Sequence, residues 1–305
     1  MPAAARFDHL KGVFGLLPTP YRDDYEILGA DLLAAAEFCI RTGQHGIVWP
    51  VMVGEFYFLG EDERLRHLEA LLAAVNGRLP FVFGCSGVSL HQVLLFARAA
   101  QPAGADAIIA MAPARANTAV AMDMFRRLAE VYTGPIILQN AATYAPLTGE
   151  QVARLVDEIP QIQYIKEERP PGPKHVEEIS RLVGARVKTI FGGFGGRYLP
   201  EELQRGANGA MPACQLADVL ARVMERWWQG DQAGARELHN RLLPLIIRES
   251  HPFMRYILKR RGVFTSLVER APAGAEALDA GDKAEISTLL GSIAGEVDQY
   301  PFGPE

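Results

Sequence analysis

Residues 107–140 read AIIAMAPARANTAVAMDMFRRLAEVYTGPIILQN, and this stretch decides the fold. It begins with a short apolar run, continues with a segment whose apolar positions repeat at helical spacing, and closes with a second apolar run. Two β-rich runs joined through an amphipathic helix predict neighbouring parallel strands, because a helical crossover returns the chain to the same end of the sheet.

The same unit recurs along the chain. Eight apolar runs lie at fairly even intervals, at residues 12–20, 46–52, 81–86, 107–113, 135–140, 162–167, 188–193 and 209–214. Amphipathic segments that mostly end at Gly or Pro separate them. Eight strand and helix units over about 210 residues match a closed barrel better than an open sheet, and no GxGxxG turn opens the first helix. The sequence therefore predicts an α/β fold, a (β/α)8 TIM barrel.

The strand pattern stops near Asp218, and only helical stretches follow it. We therefore expect a catalytic barrel domain over residues 1–217 and a C-terminal helical extension over residues 218–305. The chain has 305 residues, of which 49% are hydrophobic and 22% are charged, so it is long enough for one large core with such an appendage.

Charge and cysteine content narrow the classes of partner. The net charge is −5 and Lys and Arg form no basic stripe, so nucleic acid is not an expected partner. The three cysteines form no CxxC pair and the seven histidines show no HExxH spacing, so we expect neither a disulfide framework nor a metal site. A small-molecule ligand fits this composition better, with no metal or organic cofactor.

Hydropathy points to a protein that is not attached to a membrane. No apolar run reaches the roughly 18 residues that cross a bilayer, and residues 1–12 have no apolar core of signal-peptide length. We therefore expect no membrane partner and a cytoplasmic location.

One of the six lysines differs from the others in its position. Lys166 closes the sixth apolar run, whereas the other five flank strand beginnings or fall in loops and helices. Barrel enzymes build their sites at the carboxyl ends of strands. Strand alternation puts Ile162, Tyr164 and Lys166 on one face, and burial inside the barrel favours the neutral amine, which can attack a carbonyl. The alternative is a strand-end lysine that faces solvent or pairs with Glu167 or Glu168.

Short motifs spread over roughly residues 10 to 265 support the interpretation of Lys166 as an amine that attacks a carbonyl. They are Gly12 and Val13 with Pro18, Thr19 and Pro20; Gly54, Glu55 and Phe56 with Leu59, Glu63 and Arg64; Ile165, Lys166 and Glu167; Gly192 and Gly193; residues 206–210 (GANGA); and His251 and Pro252 with Gly262. In this order and spacing they resemble the dihydrodipicolinate synthase and N-acetylneuraminate lyase superfamily. The resemblance implies a Schiff-base lyase acting on a small 2-oxo acid, with Lys166 at the position of the family's Schiff-base lysine, and it implies a homodimer or homotetramer.

Two departures from the family pattern change the expected reaction. The family's Gly-Thr-Thr-Gly-Glu turn after the second strand reads VMVGE at residues 51–55, so backbone N–H groups at Val53 and Gly54 are expected to bind the substrate carboxylate in place of hydroxyls. The family's proton-shuttling tyrosine at the end of the fifth strand is Gln139 here, and an amide cannot act as a general acid at neutral pH. Dihydrodipicolinate synthesis is therefore not expected.

One branch of the superfamily has a similar pattern. The 2-keto-3-deoxy-L-arabonate dehydratases resemble this chain in having Gln at the tyrosine position and an acidic residue two places after the lysine, which is Glu168 here. By that resemblance Lys166 condenses with C2 of a 2-keto-3-deoxy sugar acid, and Glu168, or a water it holds, takes the C3 proton before the C4 hydroxyl leaves. The alternative for Glu168 is a loop carboxylate paired with Arg169.

Other residues are expected to bind the substrate. Thr19 and Gly193 are expected near the 2-oxo acid head, and Gln139, Asn140 and Arg115 are expected to orient hydroxyls or the carboxylate. Gly192 and its glycine neighbours permit either close backbone approach to a ligand or only a tight turn. The alternative for Arg115 is a helix cap or a subunit contact.

Three other functions remain open from the sequence. A pyruvate-dependent aldolase or a condensing enzyme like dihydrodipicolinate synthase would use the same lysine. A barrel that binds a 2-oxo acid without turnover would explain the missing tyrosine and threonines, although burying a lysine without a carbonyl partner is unfavourable.

Overall fold

Eight parallel strands close into a barrel in chain order in the computed structural model, which describes residues 7–143, 145–270 and 276–304. The strands are β1 (Gly12–Leu16), β2 (Gly46–Trp49), β3 (Phe81–Gly84), β4 (Ala107–Ala110), β5 (Ile136–Ala141), β6 (Ile162–Glu168), β7 (Thr189–Gly192) and β8 (Gly209–Ala210). β1 pairs with both β2 and β8, which closes the ring. The predicted (β/α)8 fold is confirmed.

In the described residues a helix follows each strand, and three more helices follow the barrel. The helices are α1 (Gly29–Arg41), α2 (Glu61–Val75), α3 (Leu90–Ala103), α4 (Thr118–Val131), α5 (Gly149–Glu158), α6 (Gly172–Val183), α7 (Leu199–Gln204), α8 (Ala217–Trp228), α9 (Gln232–Ile246), α10 (His251–Arg260) and α11 (Ala280–Gly291). Side chains of Ser89, Asn117 and Thr148 accept hydrogen bonds from the first turns of α3, α4 and α5, which fixes where these helices begin. Among the helices of the described ranges, none is long and apolar enough to cross a membrane.

The expected division of the chain near residue 217 coincides with the start of α8. Helices α8 to α11 share one buried apolar cluster with side chains of β1 and β8, among them Val13 and Ala210. The C-terminal helices therefore pack on the barrel next to the β8–β1 seam. The two-domain description of the chain stays a prediction.

The barrel is filled by apolar side chains, which we call the interior cluster. Its buried members are Leu10, Phe14, Leu16, Val48, Val51, Val82, Ala107, Ile109, Ile137, Tyr164, Phe191 and Met211. A larger apolar cluster lies between the strands and the surrounding helices. Because parallel strands buried on both faces need apolar residues at every position, this arrangement explains the continuous apolar runs of the sequence.

The expectation for the inward face of β6 is wrong at one residue. Ile162 packs in the outer cluster together with Ile165, whereas Tyr164 lies in the interior cluster. The cause is a register shift against β5, where Ile136 pairs with Ile162 but the next residue, Ile137, pairs with Tyr164. One extra residue in β6 therefore reverses the alternation before Tyr164.

Candidate active site

Lys166 lies at the carboxyl end of β6 and is only 3% exposed. Its register neighbours are Gln139 on β5 and Phe191 on β7. The Nζ atom lies 3.1 Å from Oε1 of Glu168, so the amine is paired with the carboxylate two residues further along the strand. Lys166 is therefore buried at the end of its strand, as a reactive amine would be. It is also paired with Glu168, as the alternative interpretation expected.

Glu168 is held by a second contact. Gln139 donates a hydrogen bond of 2.6 Å from Nε2 to the other carboxylate oxygen, Oε2. An amide that donates to one oxygen leaves the carboxylate oriented with its second oxygen at the amine. The structure thus brings together the three residues expected to be catalytic, with Glu168 placed to exchange a proton with Lys166.

The glycines after β7 lie against carboxyl groups. In residues 192–196 (GGFGG), a Cβ built on Gly192 would clash with the carboxyl group of Glu202, and one on Gly193 would lie 2.6 Å from Oε1 of Glu168. A Cβ on Gly195 would clash with Oε2 of Glu249. These glycines therefore leave space for three carboxyl groups, and a role for Gly192 and Gly193 in substrate binding stays a prediction.

Glu202, from α7, is fully buried beside Gly192. Neither of its carboxyl oxygens has a hydrogen-bond partner within the described ranges. Burial, reinforced by the charge of Glu168, raises the pKa of Glu202 to about 8. At neutral pH this side chain is therefore predominantly a neutral carboxylic acid. Its position depends on the packing of α7, and no local sequence signal indicated it.

Glu249 reaches the site from the C-terminal helices. It lies between α9 and α10 and is partly buried, and its Oε2 atom lies in the space that Gly195 leaves open. Burial raises the pKa of Glu249, while the charge of Lys166 opposes that rise. The sequence analysis missed this residue. We call Gln139, Lys166, Glu168, Glu202 and Glu249 the mouth cluster.

The turn after β2 carries two of the expected substrate-binding residues. Val53 is partly buried in a short 3-10 turn, Met52–Gly54, and packs on the interior cluster. Thr19 donates a hydrogen bond of 2.7 Å from Oγ1 to the carbonyl of Gly54 and accepts one of 3.0 Å from Nε1 of Trp49. The Thr19 hydroxyl therefore holds this turn in place.

A buried ion pair ties the same turn to α10. Nη2 of Arg255 lies 2.5 Å from Oε2 of Glu55 and donates a further bond of 3.1 Å to the carbonyl of Thr19. Both charged side chains are fully buried. Since breaking a buried pair leaves an uncompensated charge, this contact fixes the position of the turn relative to the C-terminal helices.

Within the described ranges, neither Asn140 nor Arg115 forms a hydrogen bond or ion pair with the mouth cluster. Asn140 donates to the carbonyl of Leu147 at 3.1 Å and to Oε2 of Glu167 at 2.9 Å, and its oxygen accepts from the N–H of Leu147 at 2.8 Å. Its amide therefore fastens the loop after β5 to β6. Arg115 is exposed in the loop after β4, with φ of 64°. Their substrate-binding roles stay predictions.

Comparisons with known proteins agree with the family resemblance of the sequence motifs. The family model described as the dihydrodipicolinate synthetase family matches residues 9–288. The chain is 28% identical over 272 residues to an L-2-keto-3-deoxyarabonate dehydratase of Azospirillum brasilense, covering 86% of this chain and 88% of that protein. It is also 28% identical over 254 residues to a 4-hydroxy-tetrahydrodipicolinate synthase of Methanopyrus kandleri, covering 80% and 83%.

A solved structure has the same fold. YagE, a prophage protein of the dihydrodipicolinic acid synthase family from Escherichia coli K12 solved in complex with pyruvate, superposes with a TM-score of 0.83 at 26% identity, covering 93% of this chain and 98% of YagE. Taken with the family match over nearly the whole length, the chain belongs to the dihydrodipicolinate synthetase family, a family of Schiff-base lyases that act on pyruvate and related substrates.

Proposed function

We propose that this protein dehydrates a 2-keto-3-deoxy sugar acid through a Schiff base on Lys166. The observation that carries the proposal is the buried amine of Lys166 with the carboxylate of Glu168 at 3.1 Å. An amine and a base held together inside a barrel mouth are what a Schiff-base lyase needs.

The first step is capture of the 2-oxo acid. Glu168 takes a proton from the Lys166 ammonium, and the neutral amine adds to C2 of the substrate. Glu168 returns that proton to the hydroxyl of the adduct, which leaves as water, so that an iminium ion and an ionised Glu168 result. The positive nitrogen of the iminium makes the C3–H bond acidic.

The carboxylate of Glu168 also removes the C3 proton. C3 is two bonds from the iminium nitrogen, so a carboxylate in contact with that nitrogen lies within reach of the C3 proton. Gln139 keeps Glu168 oriented through the hydrogen bond of 2.6 Å. The enamine that forms expels the C4 hydroxyl, which takes up one proton and leaves as water, balancing the proton that Glu168 has removed from C3. Hydrolysis of the unsaturated iminium releases the product and Lys166.

Carboxylate binding is assigned to the turn after β2. The Thr19 hydroxyl is already engaged with Gly54 and Trp49, so backbone N–H groups at Val53 and Gly54 are left to bind the substrate carboxylate. Because these donors need no hydroxyl side chain, the sequence VMVGE at residues 51–55 remains compatible with a 2-oxo acid.

The relatives support this choice of substrate class. An L-2-keto-3-deoxyarabonate dehydratase is among the matched proteins, and the similar YagE was solved with pyruvate. An aldolase that releases pyruvate is the second candidate, because it would use the same lysine and the same 2-oxo acid head. We further propose that the protein acts in the cytoplasm as a homodimer or homotetramer.

Product analysis separates the two reactions. The purified protein is incubated with 2-keto-3-deoxy-L-arabonate, with mass spectrometry of the products and a lactate dehydrogenase assay for pyruvate. Loss of one water from the substrate without pyruvate is the expected result. Pyruvate release would replace dehydration by aldol cleavage, and an unchanged substrate would contradict the proposed dehydration.

A further inference from the structure

The turn after β2 is held in place by a closed ring of contacts. Thr19 donates from Oγ1 to the carbonyl of Gly54 at 2.7 Å, and the next residue, Glu55, pairs through Oε2 with Nη2 of Arg255 at 2.5 Å. The same Nη2 atom donates to the carbonyl of Thr19 at 3.1 Å. The ring therefore runs from Thr19 through Gly54, Glu55 and Arg255 back to Thr19, and Arg255 joins it from α10.

The contacts of Arg255 are concentrated on this ring. The side chain is fully buried, and its Nε and Nη1 atoms have no hydrogen-bond partner in the described part of the chain. Buried donors without partners cost free energy. Apolar residues of similar volume often replace a buried ion pair without loss of stability, so an arginine at this position needs an explanation other than stability.

The backbone of Glu55 supplies that explanation. Its φ of 54° and ψ of 41° are left-handed, a conformation that is unfavourable for a residue with a Cβ and usual for glycine. In this conformation the N–H of Glu55 donates to the carbonyl of Met52 at 2.9 Å, which closes the turn Met52–Gly54. Because Arg255 anchors the side chain of Glu55, it opposes relaxation of the strained backbone and so preserves the turn.

We propose that Arg255 is a positioning residue for the carboxylate of the 2-oxo acid. Through Glu55 it keeps the backbone N–H groups of Val53 and Gly54 directed at that carboxylate. This inference rests on the carboxylate site of the proposed function. It concerns binding and not proton transfer, since no hydrogen bond or ion pair of Arg255 within the described ranges reaches Lys166.

Two double variants separate the backbone conformation from the buried charges. Glu55→Gly with Arg255→Met, the glycine double variant, and Glu55→Ala with Arg255→Met, the alanine double variant, both remove the whole ion pair. Neither leaves a buried charge uncompensated. They differ only at residue 55, where glycine adopts a left-handed backbone freely and alanine does not. Lys259→Met, an exposed change on α10, is the matched control.

The two probes are pyruvate and hydroxyacetone, a ketone that carries a CH2OH group in place of the carboxylate. For each probe, intact mass gives the concentration at which borohydride trapping on Lys166 is half-maximal. The kcat and KM values are measured with 2-keto-3-deoxy-L-arabonate. Because trapping needs no dehydration, it tests the role of Arg255 separately from the proposed reaction.

The alanine double variant is expected to raise the half-maximal pyruvate concentration and KM by about 5- to 30-fold, the factor that corresponds to left-handed strain. Its kcat and its half-maximal hydroxyacetone concentration are expected within about three-fold of wild type, because only carboxylate binding is lost. The glycine double variant and Lys259→Met should stay within about three-fold of wild type for both probes, since their turns keep the conformation without strain.

Equal losses with pyruvate and hydroxyacetone would overturn the inference, because a general structural defect would impair both. Wild-type affinity for pyruvate in the alanine double variant would overturn it too, as would a glycine double variant as weak as the alanine one. A wild type that traps pyruvate without dehydrating the sugar acid would contradict the proposed dehydration alone. Absence of trapping in the wild type would contradict both proposals.

Discussion

Tyr164 and Lys166 lie two residues apart on β6, one in the interior cluster and the other in the mouth cluster. Around Tyr164 the neighbours are apolar, and its ring packs near that of Phe191 at 6.3 Å between centroids. The neighbours of Lys166 are a carboxylate, an amide and glycines that leave space for further carboxyl groups. The interior cluster gains free energy from apolar burial, whereas the mouth cluster buries ionisable groups at a cost in stability.

This difference predicts that changes in the mouth cluster impair chemistry first. Glu168→Gln keeps the shape of the side chain but removes the base, so kcat is expected to fall by about 10²- to 10⁴-fold. Steady-state dehydration kinetics measure this, with Glu177→Gln as an exposed control of the same type. Retention of wild-type kcat by Glu168→Gln would contradict its assignment as the base.

Changes in the interior cluster should act on stability instead. Phe191→Ala removes a fully buried ring that packs against Phe14 at 5.3 Å between centroids. We expect a loss of about 3–5 kcal/mol in the free energy of unfolding, measured by urea denaturation. A loss below about 1 kcal/mol would mean that the interior cluster repacks easily, and it would contradict the claim that apolar burial in this cluster stabilises the fold.

Substitution of Glu202, a member of the mouth cluster, should raise the free energy of unfolding. Its pKa rises from 4.5 to about 8 on folding, so the unfolded chain ionises first and the free energy of unfolding falls as pH increases between these values. Glu202→Gln removes this loss, and its stability relative to wild type should grow by a few kcal/mol from pH 4.5 to pH 8 and then level off.

Urea denaturation at a series of pH values measures this difference. Glu201→Gln, in the same helix and half exposed, is the matched control and should show no such trend. A stability difference between Glu202→Gln and wild type that does not change with pH would contradict the description of Glu202 as a buried neutral acid.

The smallest expected effect is at Tyr164. Its hydroxyl accepts a hydrogen bond of 3.1 Å from the backbone N–H of Leu10, and Tyr164→Phe leaves this buried donor unpaired. A loss of about 1–2 kcal/mol in unfolding free energy is expected, with kcat close to wild type. A large loss of kcat would instead place the tyrosine hydroxyl in the reaction.

Strand and helix periodicity was sufficient to predict the barrel, because parallel strands covered by helices leave a regular apolar pattern. The same alternation located Lys166 and Glu168 correctly, since no irregularity separates them, and failed at Ile162, where a register shift intervenes. Such a shift depends on the neighbouring strand and leaves no mark in the local pattern.

The rest of the site depends on packing between distant segments. Glu202 and Glu249 reach the mouth cluster from α7 and from the connection between α9 and α10, and no local motif states where these elements pack. The glycines of residues 192–196 indicated a close approach, but the sequence could not identify carboxyl groups as the approaching partners. Likewise, Asn140 was placed correctly at the end of β5 without any sign that its amide binds Leu147 and Glu167.

The most direct test is reduction of the protein with borohydride in the presence of pyruvate, followed by peptide mass mapping. The expected result is one pyruvate-derived adduct per chain, on the peptide that contains Lys166, and no adduct in Lys166→Ala. No adduct in the wild type, or an adduct on another lysine, would contradict the claim that this buried amine captures the substrate.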